Sequence, residues 1–133
     1  MKRISITGGS TVLYADLNDT LAAADLLERI PCEFEATDSG TDFCCPAPRG
    51  VYDPTELQTG WRNGDISLGD GWFAILYAGQ DDSEAYGHMM IVGHLDEDSL
   101  KKVRELPAHV TLRLDLAQNT GGNADEISEQ RRI

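Results

Sequence analysis

The sequence predicts a mainly β domain: a closed eight-stranded antiparallel barrel with two short α-helices over its ends. Three observations carry that expectation. About eight short strand-like stretches recur along the chain, glycine-bearing turns join neighbouring strands in pairs, and just two stretches have helical spacing. At 133 residues the chain is long enough to bury a real core and too short for two ordinary domains. The barrel is expected over residues 1–116, with residues 117–133 as a flexible tail.

The first pair is "RISIT" and "TVLYADL", bent at Gly8-Gly9-Ser10. In the second of these strands Leu13, Ala15 and Leu17 alternate with Val12, Tyr14 and Asp16, so the leucine face is expected to point inward. "NDTLAAADLLERIP" follows as the first helix. Asn18, Asp19 or Thr20 can accept a bond from a free amide at its start; Ala23, Leu26, Leu27 and Ile30 form one apolar stripe, and Pro31 ends it. "CEFEAT" and "DFCCP" bracket Asp38-Ser39-Gly40 as a second hairpin. Residues 46–60 hold three prolines and little periodicity, which predicts a long loop with at most one helical turn.

A third hairpin joins "GDISL" to "GWFAILYAG" around Asp70-Gly71. The acidic "GQDDSEA" reads as a loop, and "YGHMMIVGHL" after it as one barrel strand, with Gly93 marking a bend or close packing. "DEDSLKKVREL" is the second helix, its acids at the N-terminus and its bases further along, as the helix dipole favours; Pro107 closes it. In "HVTLRLDL", Val110, Leu112, Leu114 and Leu116 share one face of a strand and His109, Thr111, Arg113 and Asp115 the other.

Composition narrows the function classes. The chain is 41% hydrophobic and 26% charged, as in soluble globular proteins. Its 23 acids against 11 bases give a net charge of −12, which repels phosphate backbones and argues against nucleic-acid binding or attachment to anionic membranes. There is no membrane-length apolar run and no signal-peptide core, so the cytoplasm is the expected compartment. Cys32, Cys44 and Cys45 are odd in number and lack a Cys-x-x-Cys, and they read as small hydrophobes in a reducing compartment.

No motif declares a chemistry. "TGGST" lacks the phosphate-loop spacing and leads into a strand. Calcium loops starting at Asp16 or Asp96 fail at their sixth and twelfth positions. In "YGHMMIVGHL" a regular strand sets His88 and His94 about 20 Å apart, too far to share one metal, and on one face with Met90 and Val92. No metal or cofactor is expected, and no catalytic residue is assigned. Trp72, Phe73 and Tyr77 read as core. Trp61, in the "TGWRNG" loop beside Arg62, reads as a better candidate for ligand contact.

Three segments together resemble the small cyclophilin-like domains of bacteria and archaea: "ADLNDTLAAADLLERIP" (15–31), "GDISLGDGWFAILYAG" (64–79) and "MIVGHLDED" (90–98). The resemblance spans Met1 to about Leu116 and implies an eight-stranded closed barrel with two helices, in agreement with the count of strands. Cyclophilins proper are peptidyl-prolyl isomerases whose catalytic arginine follows a Phe-His pair. Here Phe34, Phe43 and Phe73 precede Glu35, Cys44 and Ala74, so the motif is absent. Fold without site does not give function. The expectation is a non-catalytic or weakly active module that binds a peptide or small ligand through Arg49, Trp61, Arg62, Tyr86 and His88, the large or cationic side chains outside expected core positions. The alternatives are a prolyl isomerase, or a hydrolase using His88 or His109 as base.

Overall fold

A computed structural model describes residues 2–69 and 71–117 of the chain. Strands β1 (Arg3–Gly8), β2 (Thr11–Leu17), β3 (Cys32–Asp38), β4 (Asp42–Pro46), β6 (Asp65–Gly69), β7 (Trp72–Leu76), β9 (Ile91–Leu95) and β10 (His109–Leu116) close a barrel in the order β1-β10-β3-β4-β7-β6-β9-β2. Every pairing is antiparallel. Two further strands, β5 (Gln58–Thr59) and β8 (His88–Met89), pair outside the barrel as a short ribbon. The three hairpins form where the turn residues place them, as β1–β2, β3–β4 and β6–β7.

Alternation fills the interior. Ile4 and Ile6 of β1, Leu13 and Ala15 of β2, Phe43, Ile66, Phe73 and Ile75, and Leu112 and Leu114 of β10 are buried in one cluster. Phe34 and Phe73 stack within it, with ring centroids 4.3 Å apart. Leu116 shares a strand face with Leu112 and Leu114 but ends β10 opposite Ile4 and is 58% exposed.

Helix α1 (Leu21–Arg29) packs on β6 and β9, and α2 (Glu97–Lys102) on β2. Thr20 caps α1, its Oγ1 accepting the Ala23 N–H at 3.1 Å. Asn18 accepts from the Thr20 amide and hydroxyl and donates its own amide to the Ile91 carbonyl. "LNDT" thus starts a helix and ties that start to β9. Asp96 caps α2 by accepting the Ser99 N–H, and the Ser99 hydroxyl accepts the Tyr14 N–H, which ties this helix to β2. Ala22, Ala23 and Leu26 bury the α1 face, with Leu27 and Ile30 half-buried beside them.

Two segments differ from their expected form. Gln80–Tyr86 is a seven-residue 3-10 helix where a loop is expected. Its order comes from Ser83, whose buried hydroxyl accepts the Trp61 N–H at 2.9 Å and donates to the Gln80 carbonyl, a contact that no apolar periodicity announces. "YGHMMIVGHL" is two strands, not one. Ile66 of β6 pairs with Gly93 while Ser67 pairs with Ile91, so Val92 is an extra residue that shifts the register. Met90 and Val92 point into the core, and the shift turns His94 to the opposite face. His88 and His94 therefore do not share a face with Met90 and Val92 as a regular strand requires.

The expected tail lies, beyond Ala117, outside the described residues. Among the described residues no helix is long and apolar enough to cross a membrane.

Candidate functional site

The outer face of the barrel carries an apolar groove. On β4, β7 and β6 the residues that alternate with the core point outward: Asp42 and Cys44, Trp72, Ala74 and Leu76, and Ser67. They floor a groove of about 330 Å³. Tyr52 and Leu57, from the loop between β4 and β5, wall one part of it, and His88 and Met89 of β8 another. Beneath the ribbon, Trp61, Ala74, Leu76 and Ile91 form a second buried cluster, with Cys44 and Met89 packed against it. The groove thus rests partly on this small core and partly on Leu68 and Met90 of the main one. Trp72 is 55% exposed and Tyr52 50%, and both line it.

This overturns the placement of the two tryptophans. Trp72, expected in the core, lies on the outward register of β7 opposite Pro46 and Gly69. Trp61, expected to be accessible, is 6% exposed and donates Nε1–H to the Ala78 carbonyl at 2.8 Å. Phe73 and Tyr77 are buried as expected, and the Tyr77 hydroxyl donates to Asp38 at 2.5 Å. Burial, and next the Asp38 carboxylate, push that phenol up to about 12.

The five candidate residues are not gathered into one surface. His88 lines the groove, with Nδ1 3.0 Å from the Thr59 hydroxyl. Tyr86 is 70% exposed and lays its ring against Trp61, centroids 5.5 Å apart. Trp61 and Arg62 line a shallow depression beside Gln80 and Glu84. Arg49 stands exposed in the loop after β4. The cysteines divide as neighbouring strand residues must: Cys45 enters the core, and Cys44 faces the groove. All three are free thiols, and burial raises Cys44 to about 11, helped by the charge of Asp42 and a hydrogen bond to it.

A second cleft of about 500 Å³ lies around Asp65, His94, Arg62, Gln58 and Asn18. Asp65 is 1% exposed. One of its oxygens accepts the His94 ring at Nδ1, 2.7 Å away; the other accepts the Arg62 N–H at 2.8 Å and the Gln58 amide at 3.2 Å. The Arg62 guanidinium is itself exposed and reaches to 3.8 Å from Asp65. By contrast, His109 Nδ1 sits 3.1 Å from the Thr37 hydroxyl, and among the described residues neither His88 nor His109 hydrogen-bonds a carboxylate or thiol. The pairing of His94 with Asp65 is the feature that reading the sequence misses, because the register shift that creates it has no signature beyond Gly93. Among the described residues no cluster of three or more His, Cys, Asp or Glu is arranged to hold a metal ion.

The pattern of the cyclophilin-like family matches residues 6–115, which runs from within β1 to within β10 and takes in both helices. Among curated proteins none matches the chain. By the family match and the closed eight-stranded barrel, the chain belongs to the cyclophilin-like family.

Proposed function

We propose that this barrel is a binding module that takes a short peptide or small apolar ligand in the groove across β4, β7 and β6. The observation that carries this reading is an outward apolar floor of Ala74, Leu76 and Met89 with two exposed aromatic rings, Tyr52 and Trp72, at its margin. Apolar surface left in a concavity and bordered by amphipathic rings is the usual architecture of a ligand site. Polar groups available to orient a ligand are the Asp42 carboxylate, the Ser67 hydroxyl and the His88 imidazole.

The same lining argues for binding without isomerisation. No arginine or lysine is among the described residues that line the groove, so no guanidinium or ammonium there donates a hydrogen bond to a prolyl nitrogen. The amide barrier of about 20 kcal/mol is then left unaltered.

The test is a titration of short blocked peptides, with and without proline, followed by tryptophan fluorescence. Binding should shift the emission of exposed Trp72. Ser67→Trp, which fills the groove from its floor without entering the barrel interior, should abolish the shift. A protease-coupled assay on a proline peptide should show no acceleration at micromolar protein. Binding that survives Ser67→Trp would place the ligand elsewhere.

A further inference from the structure

The second cleft holds an arrangement that the binding module does not use. At neutral pH a carboxylate only accepts hydrogen bonds, so the contact between His94 Nδ1 and Asp65 requires the ring proton to sit on Nδ1. In the neutral ring Nε2 then carries a free lone pair. It has no hydrogen-bond partner among the described residues, and His94 lines the cleft. The ring is held from two sides. Asp65 fixes its edge, and its face lies over Gly64, where a Cβ would come within 3.1–3.2 Å of the imidazole. Asp65 is in turn fixed by the Arg62 backbone and the Gln58 amide. A neutral imidazole in one tautomer, oriented by a buried carboxylate, is the working half of a general-base pair.

We propose that His94 is a base positioned by Asp65, and that the cleft hydrolyses small, uncharged, activated acyl esters. A water molecule entering the cleft gives a proton to Nε2 as its oxygen bonds the acyl carbon. The ester C–O bond breaks, and the leaving alkoxide carries off the electron pair and takes the proton back from the imidazolium, so that ester and water become acid and alcohol. The class of substrate follows from the charges that face His94. Asp65 lies on β6, Asp16 on β2, and Asp96 and Glu97 at the start of α2; against them stand Arg62 at the rim and Arg3, which pairs with Asp16 and Asp96. Acids outnumber bases, which disfavours an anionic substrate. Ile91, Leu95 and Leu100 offer apolar wall to an uncharged one.

The experiment uses p-nitrophenyl acetate with the full chain. His94→Gln should lower the rate at least tenfold, while His109→Gln stays within twofold of the parent. Asp65→Asn should lower the rate by releasing the ring from its single tautomer. Because Asp65 is buried, the unsubstituted protein provides a further readout: long-range 15N spectra of the His94 ring should show the neutral form protonated at Nδ1. A His94→Gln rate within twofold of the parent, or a neutral ring protonated at Nε2, overturns the proposal. Loss of peptide binding in the groove leaves these readouts unchanged, so the two sites fail separately.

Discussion

Cys44 sits on the groove floor with its thiol held protonated. Burial is the main cause, and the neighbouring Asp42 carboxylate adds to it by charge and hydrogen bond, raising the group to about 11 from an ordinary value near 9. At neutral pH its thiolate fraction is therefore on the order of a hundredfold below that of an ordinary thiol. Alkylation by iodoacetamide, followed by mass spectrometry, should be correspondingly slow at pH 7.5 and climb until about pH 11. A ligand in the groove should slow it further. Fast alkylation at neutral pH would contradict a thiol raised by burial on the groove floor. The same residue shows what the sequence does convey: adjacent Cys44 and Cys45 take opposite faces because neighbours on a strand must. The tryptophans show what it does not. Trp61 is buried by Ser83 and Ala78, 22 and 17 residues away, and no local pattern encodes those contacts.

At the scale of elements, the bulge between β6 and β9 does most to position the second cleft. Gly93 lies against β2, where a Cβ would come 2.7 Å from the Asp16 carbonyl oxygen and 3.3 Å from the Leu17 Cα. Those are backbone atoms that cannot swing aside. Gly93→Ala should therefore cost about 1–3 kcal/mol in urea denaturation, as overpacking does, and should disturb the His94–Asp65 pair as β9 shifts. An unchanged midpoint would show that β2 and β9 can separate freely.

The cap of α2 gives a pH prediction with a definite sign. Burial alone would raise the Asp96 carboxyl, but hydrogen bonds from Ser99 and Arg3, and the charge of Arg3, outweigh it and hold the group below the ordinary range. A carboxylate lowered in the folded state stabilises the fold above its unfolded pKa, and that contribution is lost as pH falls through the folded value. Asp96→Asn keeps a capping side chain but removes the charge. The stability gap between the parent and this variant should be full at neutral pH and close below about pH 4. A gap that widens in acid would contradict the assignment. The helices and hairpins were readable because their signals are local: Thr20 and Asp96 sit where caps belong, and glycine marks each hairpin turn. The 3-10 helix at Gln80–Tyr86 and the bulge were not, since a hydroxyl contact and one extra residue decide them.

For the whole molecule, a closed barrel leaves no sheet edge, so its interior is spent on stability and function must sit on the outer faces and loops. Strand number, helix number and family could be read from the order and spacing of apolar segments. The site could not, because it joins β4, β6, β7, β8 and the loop after β4, which only the barrel closure brings together. Of the residues chosen as exposed and cationic or aromatic, His88 lines the groove; its floor of Ala74, Leu76 and Met89 was hidden among residues that resemble core. The most direct measurement is the map of backbone amide shifts on adding a short apolar peptide to 15N-labelled protein. The account predicts that the perturbed amides cluster at Cys44, Ser67, Trp72, Ala74, Leu76 and His88–Met89. Shifts concentrated at Asn18, Asp65 and His94, or scattered over the barrel without a focus, would contradict it.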